Sequence, residues 1–338
     1  MPTVAIDVRE ASALPLRGWN RYVVELVQAL EQEAGEGLSL RLLAGSGTGP
    51  ELLWEQFGLP RALRREHPAL VHAPNCFLPL RRPCPGVVTI HDLAFEAHPE
   101  DFSARTGWKY RTFTPRAARS AERIVCMSNF TADDVSERYG VDRSKIRVIP
   151  LAPALPAGDA TPPAGPYLLA VGDLRAKKDP MTLVRAWRAL RAEGLPHRLV
   201  LAGADGGEAA GLREAAGDEP LEITGYVDDA ELDALLRGAD MLVHPSLYEG
   251  FGLVLVEAMA RDCPVVAARA TALPETAAGA ALLFEPGDPE DLVAAIRGVL
   301  EDEDLRASLI ATGRARAAGL SWASTAAATA DVYRELVA

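Results

Sequence analysis

No run of apolar residues approaches the ~18 that a membrane-crossing helix needs. The start, Met1-Pro2-Thr3-Val4-Ala5-Ile6-Asp7, lacks the basic stretch and apolar core of a secretory signal. The four cysteines (Cys76, Cys84, Cys126, Cys263) form neither a CxxC pair nor a Cys/His cluster. They read as reduced thiols of a cytoplasmic protein, not as a disulfide frame or a zinc site. No His/Asp/Glu group has metal-ligand spacing, and no serine sits in a GxSxG elbow. Positive charge is in deficit: 35 Lys+Arg against 47 Asp+Glu leave −12. That balance argues against a general nucleic-acid binder. Gly45-Ser-Gly-Thr-Gly-Pro50 falls short of a dinucleotide fingerprint, because Pro50 replaces the last glycine and no acidic partner follows at the right distance. Asp302-Glu-Asp304 opens a helical pattern instead of ending a strand, so it reads as a solvated helix start and not as a metal-binding DxD.

What is present is an ordinary globular composition, 49% hydrophobic and 24% charged over 338 residues, enough for two domains. Residues 1–165 balance 19 basic against 19 acidic side chains, whereas 166–338 carry 16 against 28 and hold the whole deficit. Short β-branched or apolar runs alternate with amphipathic helical patterns along the chain. Candidate strands are 4–8, 39–44, 70–73, 87–91, 124–128 and 146–151, then 167–171, 198–202, 221–224, 241–244, 265–268 and 281–284. Most lack alternation, as expected of parallel strands covered on both faces. The pattern implies an α/β chain with two doubly wound sheets. Six prolines within 150–166 mark a stiff linker between the halves. Ligands of such sheets sit at the carboxyl ends of strands, so the function is sought there.

The most informative segment is His244-Pro-Ser-Leu-Tyr-Glu249-Gly-Phe-Gly252-Leu-Val-Leu-Val-Glu257. A strand runs into a turn, a Gly-Phe-Gly step and a helix. The glycines let a ligand approach the backbone, and the first amides of the helix favour an anion such as a diphosphate. Glu257 lies two turns down an apolar helix, where a carboxylate needs partners; the vicinal hydroxyls of a ribose are one candidate. Lys177-Lys178, after the strand 167–171, are cations suited to a leaving diphosphate. His91-Asp92 end another strand, and Gly18-Trp19-Asn20 open a helix placed at 21–30, with Asn20 as its candidate cap.

These residues carry a resemblance. The Glu-x7-Glu pair within PSLYEGFG…EAMA is similar to that of the family 4 retaining glycosyltransferases of GT-B fold. So are Arg17-Gly-Trp-Asn-Arg-Tyr22, Val88-Thr-Ile-His-Asp-Leu93, Cys126-Met-Ser-Asn-Phe130, Val171-Gly-Asp-Leu-Arg-Ala-Lys-Lys178, Thr224-Gly-Tyr-Val227 and Leu273-Pro-Glu275. The resemblance implies two facing Rossmann-like domains with a cleft between them. An acceptor domain would span 1–157 together with a returning C-terminal helix (320–338), and a nucleotide-sugar domain would span 163–318. It implies Glu249 and His91 at the donor sugar, Glu257 at the ribose, and Lys178 with Gly172, Lys177, Gly250, Phe251 and Gly252 at the phosphates. Tyr226 and Val227 would lie near the base, and Gly18, Trp19, Asn20 and Asp92 near the acceptor. Asp173 departs from the family's usual arginine, leaving Lys177 or Arg175 to substitute. The implied reaction is transfer of a hexose, mannose or similar, from a nucleoside-diphosphate sugar to a glycan, lipid-linked or small-molecule hydroxyl. It would proceed with retention and without a metal or other cofactor. Another GT-B activity, epimerase or phosphorylase, and a non-catalytic nucleotide-sugar-binding subunit remain alternatives. Across 103–123 six cations face one acid, with Trp108, Tyr110 and Phe113 among them. This stretch is a candidate for peripheral contact with an anionic membrane face or for an anionic acceptor, beside the plain reading of a solvated helix face.

Overall fold

Among the described residues twelve strands form two six-stranded sheets, and every ladder within the sheets is parallel. This is a computed structural model, and it describes residues 1–12, 18–33, 37–45 and 51–337. Arg17 and residues 46–50, which belong to motifs noted above, lie outside them. The chain divides into unit 1, 1–152 with 321–338, and unit 2, 153–320.

Unit 1 holds β1 (Thr3–Asp7), β2 (Ser39–Leu43), β3 (Leu70–Ala73), β4 (Gly86–Ile90), β5 (Arg123–Cys126) and β6 (Ile146–Val148) in the order β2-β1-β3-β4-β5-β6. Unit 2 holds β7 (Tyr167–Val171), β8 (Arg198–Ala202), β9 (Leu221–Gly225), β10 (Met241–His244), β11 (Val265–Ala268) and β12 (Leu282–Phe284) in the order β12-β11-β10-β7-β8-β9. All twelve fall on runs expected from the sequence, with ends differing by at most three residues. β3, β4, β10 and β11 are buried at every position, which is why their apolar runs do not alternate. β2 departs from that pattern. It is an edge strand with Arg41 outward, and a charge there discourages pairing with another chain.

Helix choice follows local chemistry. Pro180–Ala192 starts with proline at its first position and is capped by Asp179, whose Oδ1 accepts from the Thr182 amide at 3.3 Å. Leu183, Val184, Trp187 and Leu190 form its buried stripe, and the helix packs against the helices Pro289–Glu301 and Ala209–Ala216. Asp302 caps Glu303–Ala318 by accepting from the Leu305 amide, so the acidic triplet is a helix start. One expectation is corrected. The helix placed at 21–30 runs over Gly18–Glu33, so Asn20 lies inside the first turn and is not the cap. Its Oδ1 accepts from the Arg21 amide at 3.1 Å.

The C-terminal helix Trp322–Val337 belongs to unit 1 and packs on Gly18–Glu33 and β3. A buried polar chain fixes it. The Tyr333 hydroxyl lies 2.6 Å from His72 Nδ1, His72 Nε2 lies 2.8 Å from Thr89 Oγ1, and Thr89 Oγ1 lies 3.1 Å from the Tyr22 hydroxyl. His72 is fully buried, and burial, with a smaller push from His91, lowers its pKa to about 3. The folded value lies below the unfolded one, so the unfolded chain takes up the proton first as acid is added. Stability from neutral His72 is complete above about pH 6.5 and is lost as pH falls towards 3. His72→Asn should therefore be less stable than the wild type at pH 7.5 by about 1–3 kcal/mol. In urea denaturation that gap should shrink by up to roughly 2 kcal/mol at pH 5; a gap independent of pH would contradict a neutral buried His72.

Candidate active site

In unit 2 the strand order reverses between β7 and β10, and the carboxyl ends of those two strands open the crevice where such sheets bind ligands. β7 ends at Val171. Gly172 then takes φ +142°, a conformation side chains rarely adopt, and the chain passes through the turn Ala176–Lys178. β10 ends at His244, and its loop reaches Gly252, at φ +85°, before the helix Leu253–Met259. The two loops are tied together: the Leu247 amide donates to the Lys177 carbonyl at 2.8 Å, and Ser246 Oγ donates to it at 3.3 Å. Gly172, Asp173, Lys178, His244 and Pro245 line one pocket at this point.

Glu249 is the centre of the cluster. Its Oε1 accepts from Lys178 Nζ and lies 2.9 Å from His244 Nε2. A carboxylate only accepts, so that imidazole carries its proton on Nε2. Among the described residues nothing bonds Oε2. The Glu249 amide donates to Thr271 Oγ1 at 2.9 Å, and Thr271 itself sits at φ +48°. Burial alone would raise the Glu249 pKa, but the Lys178 ammonium and the His244 hydrogen bond outweigh it and hold the carboxyl well below the usual range. Burial lowers the His244 pKa against the pull of Glu249, so the imidazole is neutral. The result is an ionised carboxylate with one saturated and one open oxygen, beside an ammonium, at the sheet's switch point.

The other expected donor residues are placed less simply. Glu257 is buried, as its apolar flanks imply, but its partners are protein groups. Oε1 accepts from the Ala154 and Leu155 amides at 2.7 and 2.9 Å, and Oε2 pairs with Arg261 at 3.3 Å. Arg261 also bonds the Leu155 carbonyl and Asp233, so Glu257 helps pin the linker to unit 2. The helix Leu253–Met259 has no side-chain cap on its first amides, while the Phe251 carbonyl accepts from Thr276 Oγ1. Arg175 lies 3.9 Å from Asp173, the acid that departs from the resemblance. Tyr226 and Val227 follow β9, an edge strand two places from β7; Tyr226 is half-exposed and Val227 nearly buried.

In unit 1, His91 follows β4. Its Nε2 donates to the Pro74 carbonyl at 2.8 Å, and its ring meets Tyr22 edge-on at 5.0 Å. Burial lowers its pKa despite the Pro74 and Asp92 contacts. Asp92 Oδ1 accepts from the Ala94 amide at 2.9 Å and so shapes the next turn. Gly18 and Trp19 are exposed at the start of their helix, and Asn20 is buried beside them. The basic stretch forms the helix Ala104–Ser120, capped by Ser103. Arg105, Arg111, Arg116 and Arg119 are exposed, and part of the charge is paired with the protein: Arg111 donates to the Phe95 carbonyl, Arg119 to that of Tyr139, and Arg123 pairs with Glu335. Trp108 remains exposed.

Two members of the cluster were not assigned from sequence. His244 was legible, since it ends a strand five residues before Glu249. Thr271 was not: it lies in a later loop with no motif around it.

The family profile "Glycosyl transferases group 1" matches residues 156–316, and the profile "Glycosyltransferase Family 4" matches residues 11–152. The chain is 30% identical to the "O-antigen chain mannosyltransferase B" of Escherichia coli over 98% of this chain and 99% of that protein. Among solved structures it resembles a sucrose-phosphate synthase from Thermosynechococcus elongatus (TM-score 0.74, 22% identity, 99% of both chains). It also resembles Anabaena Alr3699/HepE in complex with UDP-glucose (TM-score 0.71, 18% identity, 99% and 100% covered). With two parallel Rossmann-like sheets and both profiles matched in order, the chain belongs to the family 4, group 1 glycosyltransferases of GT-B fold.

Proposed function

We propose that this glycosyltransferase moves a hexose, mannose being favoured by the Escherichia coli relative, from a nucleoside-diphosphate sugar to a hydroxyl of a glycan, lipid-linked or small-molecule acceptor, with retention of configuration and without a metal. The observation that carries the reading is the Lys178–Glu249–His244 cluster at the switch point of unit 2. Without donor, the Lys178 charge is matched by Glu249. A diphosphate entering the crevice competes for that ammonium. As the bond between the anomeric carbon and the phosphate oxygen breaks, negative charge grows on the leaving group, and a fixed cation there is worth about 3–4 kcal/mol. The uncapped amides after Gly252 reinforce it. Gly172, Lys177, Gly250 and Phe251 complete the donor loops in this reading. The open Oε2 of Glu249 accepts a sugar hydroxyl and holds the ring in reacting geometry. His91 contacts the same sugar, Glu257 takes the ribose beside its linker amides, and Tyr226 with Val227 approaches the base. Gly18, Trp19, Asn20 and Asp92 serve the acceptor side.

Retention is part of this proposal, and Glu249 is not assigned as its general base. A carboxyl held well below its usual pKa is a weak general base near neutral pH. The acceptor proton is then taken by the departing phosphate oxygen, on the face the leaving group vacates. The acceptor oxygen bonds to the anomeric carbon from that face.

Glu249→Gln keeps the shape and removes the charge. It should lower transfer at least ~100-fold while a thermal-shift assay still registers nucleoside-diphosphate binding; turnover at the wild-type rate would refute the assignment. Lys178→Ala should weaken nucleoside-diphosphate binding by ~10-fold or more in calorimetry, and an unchanged affinity would place the phosphates elsewhere. NMR of the product should show the anomeric configuration of the donor, in buffer with or without chelator. Inversion, or an activity lost on chelation and restored by metal, would contradict the mechanism.

A further inference from the structure

The loop 245–252 carries Glu249 with no helix or ladder of its own to hold it. β10 and β11 are parallel neighbours, so the loops that leave their carboxyl ends run side by side. The second of these, 269–272, leads into the helix Leu273–Ala277. It grips the first. Thr271 Oγ1 accepts from the Glu249 amide at 2.9 Å, and the Ala272 amide donates to the Glu249 carbonyl at 3.4 Å. Thr276 Oγ1 donates to the Phe251 carbonyl. The Leu273 side chain fills the space beside Gly252, where an added Cβ would lie 2.6 Å from Leu273 Cδ2. Glu249 is thus bonded through both of its backbone groups, while its carboxylate reaches Lys178 and His244.

Thr271 makes its bond from an unfavourable backbone. Its φ is +48°, and a β-branched residue is a genuine outlier in that region. Gly172 and Gly252 show the ordinary solution at this end of the sheet, with φ of +142° and +85°. A glycine at 271 would relieve the strain, but it would leave the Glu249 amide without this acceptor. Thr271 is only half-buried, so core packing does not account for the side chain either. The hydroxyl on Glu249 is what the strained backbone supports, and strain of this kind collects at functional sites.

We infer that Thr271 is a positioning residue for transfer. Its hydroxyl fixes the Glu249 peptide so that Oε1 stays on Lys178 and His244 while Oε2 stays open to the donor sugar. The segment 271–276 is the template on which the Glu249 loop is set, and Thr271 acts through Glu249. The inference rests on the transferase reading above and adds to it a residue 22 positions further along the chain. Holding a group in reacting geometry lowers the barrier without strengthening ground-state binding, so the effect falls on kcat and not on donor affinity.

Three substitutions separate the hydroxyl from the backbone. Thr271→Ser keeps the oxygen and removes the branch. Thr271→Ala makes the same backbone demand as Thr271→Ser without the oxygen, and Thr271→Gly removes both oxygen and strain. In a transfer assay with GDP-mannose or UDP-glucose as donor, Thr271→Ser should keep kcat within ~3-fold of the wild type. Thr271→Ala and Thr271→Gly should each lower kcat ~10-fold or more, with the donor KM within ~3-fold. If Thr271 served the turn alone, Thr271→Gly would be the most active variant and Thr271→Ala would match Thr271→Ser. A second readout needs no turnover: NMR of the full chain with isotope-labelled histidine, the His244 signal being assigned with His244→Gln. The His244 Nε2–H should be protected from solvent exchange in the wild type and in Thr271→Ser, and should exchange ~10-fold or more faster in Thr271→Ala and Thr271→Gly. If the wild type turns over neither donor, that failure belongs to the transferase reading, and the NMR comparison alone decides the role of Thr271. Wild-type kcat in Thr271→Ala, a Thr271→Ser as impaired as Thr271→Ala, an exchange rate unchanged in both Thr271→Ala and Thr271→Gly, or an unprotected His244 Nε2–H in the wild type would overturn the inference.

Discussion

A carboxylate taken out of water must be neutralised or paired, and at Glu249 the pairing arranges the loops around it. One oxygen is satisfied twice, by the Lys178 ammonium and the His244 N–H, and the backbone amide is anchored on Thr271. Lys178 and His244 come from the ends of β7 and β10, which are neighbours in the sheet, while Thr271 follows β11, and Lys178 and Glu249 stand 71 residues apart. The interaction therefore requires the β7–β10 pairing, and it leaves one oxygen of the carboxylate open. Removing one partner of such a pair strands a charge, which is why a partly buried ion pair is weak evidence of stability and stronger evidence of function.

The two units use the same topological device for different chemistry. In each, parallel strands buried on both faces carry no information beyond hydrophobicity, and the chemistry collects where strand order reverses. In unit 2 the crevice is furnished with cations and glycine turns, which suit a diphosphate. In unit 1 the carboxyl ends of β1 and β3 carry acids, with Glu10, Glu51 and Glu55 tied to Arg9 and Lys109. The overall acidity of residues 166–338 conceals this contrast, since it resides in surface charge away from Lys178.

Much of this was legible in the sequence. Continuous apolar runs located all twelve strands because a parallel sheet leaves no polar face to interrupt them. The Glu249 and Lys178 motifs stand out because glycines and charges break the periodicity of their surroundings. The start of the helix at Gly18 was misplaced because glycine is a poor helix former and Asn20 resembles a cap. Residues at short separation, such as Asp302 and Leu305, declare their contact in sequence. Glu257 does not: its partners are backbone amides about a hundred residues earlier, and an N–H group has no sequence signature. The unit 1 ion-pair cluster of Arg9, Glu10, Glu51, Glu55 and Lys109, with Asp7 and Asn75 beside it, is drawn from four separate segments, so no motif contains it.

The account depends most on the fate of the Lys178–Glu249 pair when donor arrives. A crystal structure of the chain with its intact nucleoside-diphosphate sugar measures this directly. The account predicts phosphate oxygens within about 3 Å of Lys178 Nζ and a sugar hydroxyl on Glu249 Oε2. A diphosphate bound away from β7 and β10, with the ion pair undisturbed and Oε2 facing solvent, would contradict it.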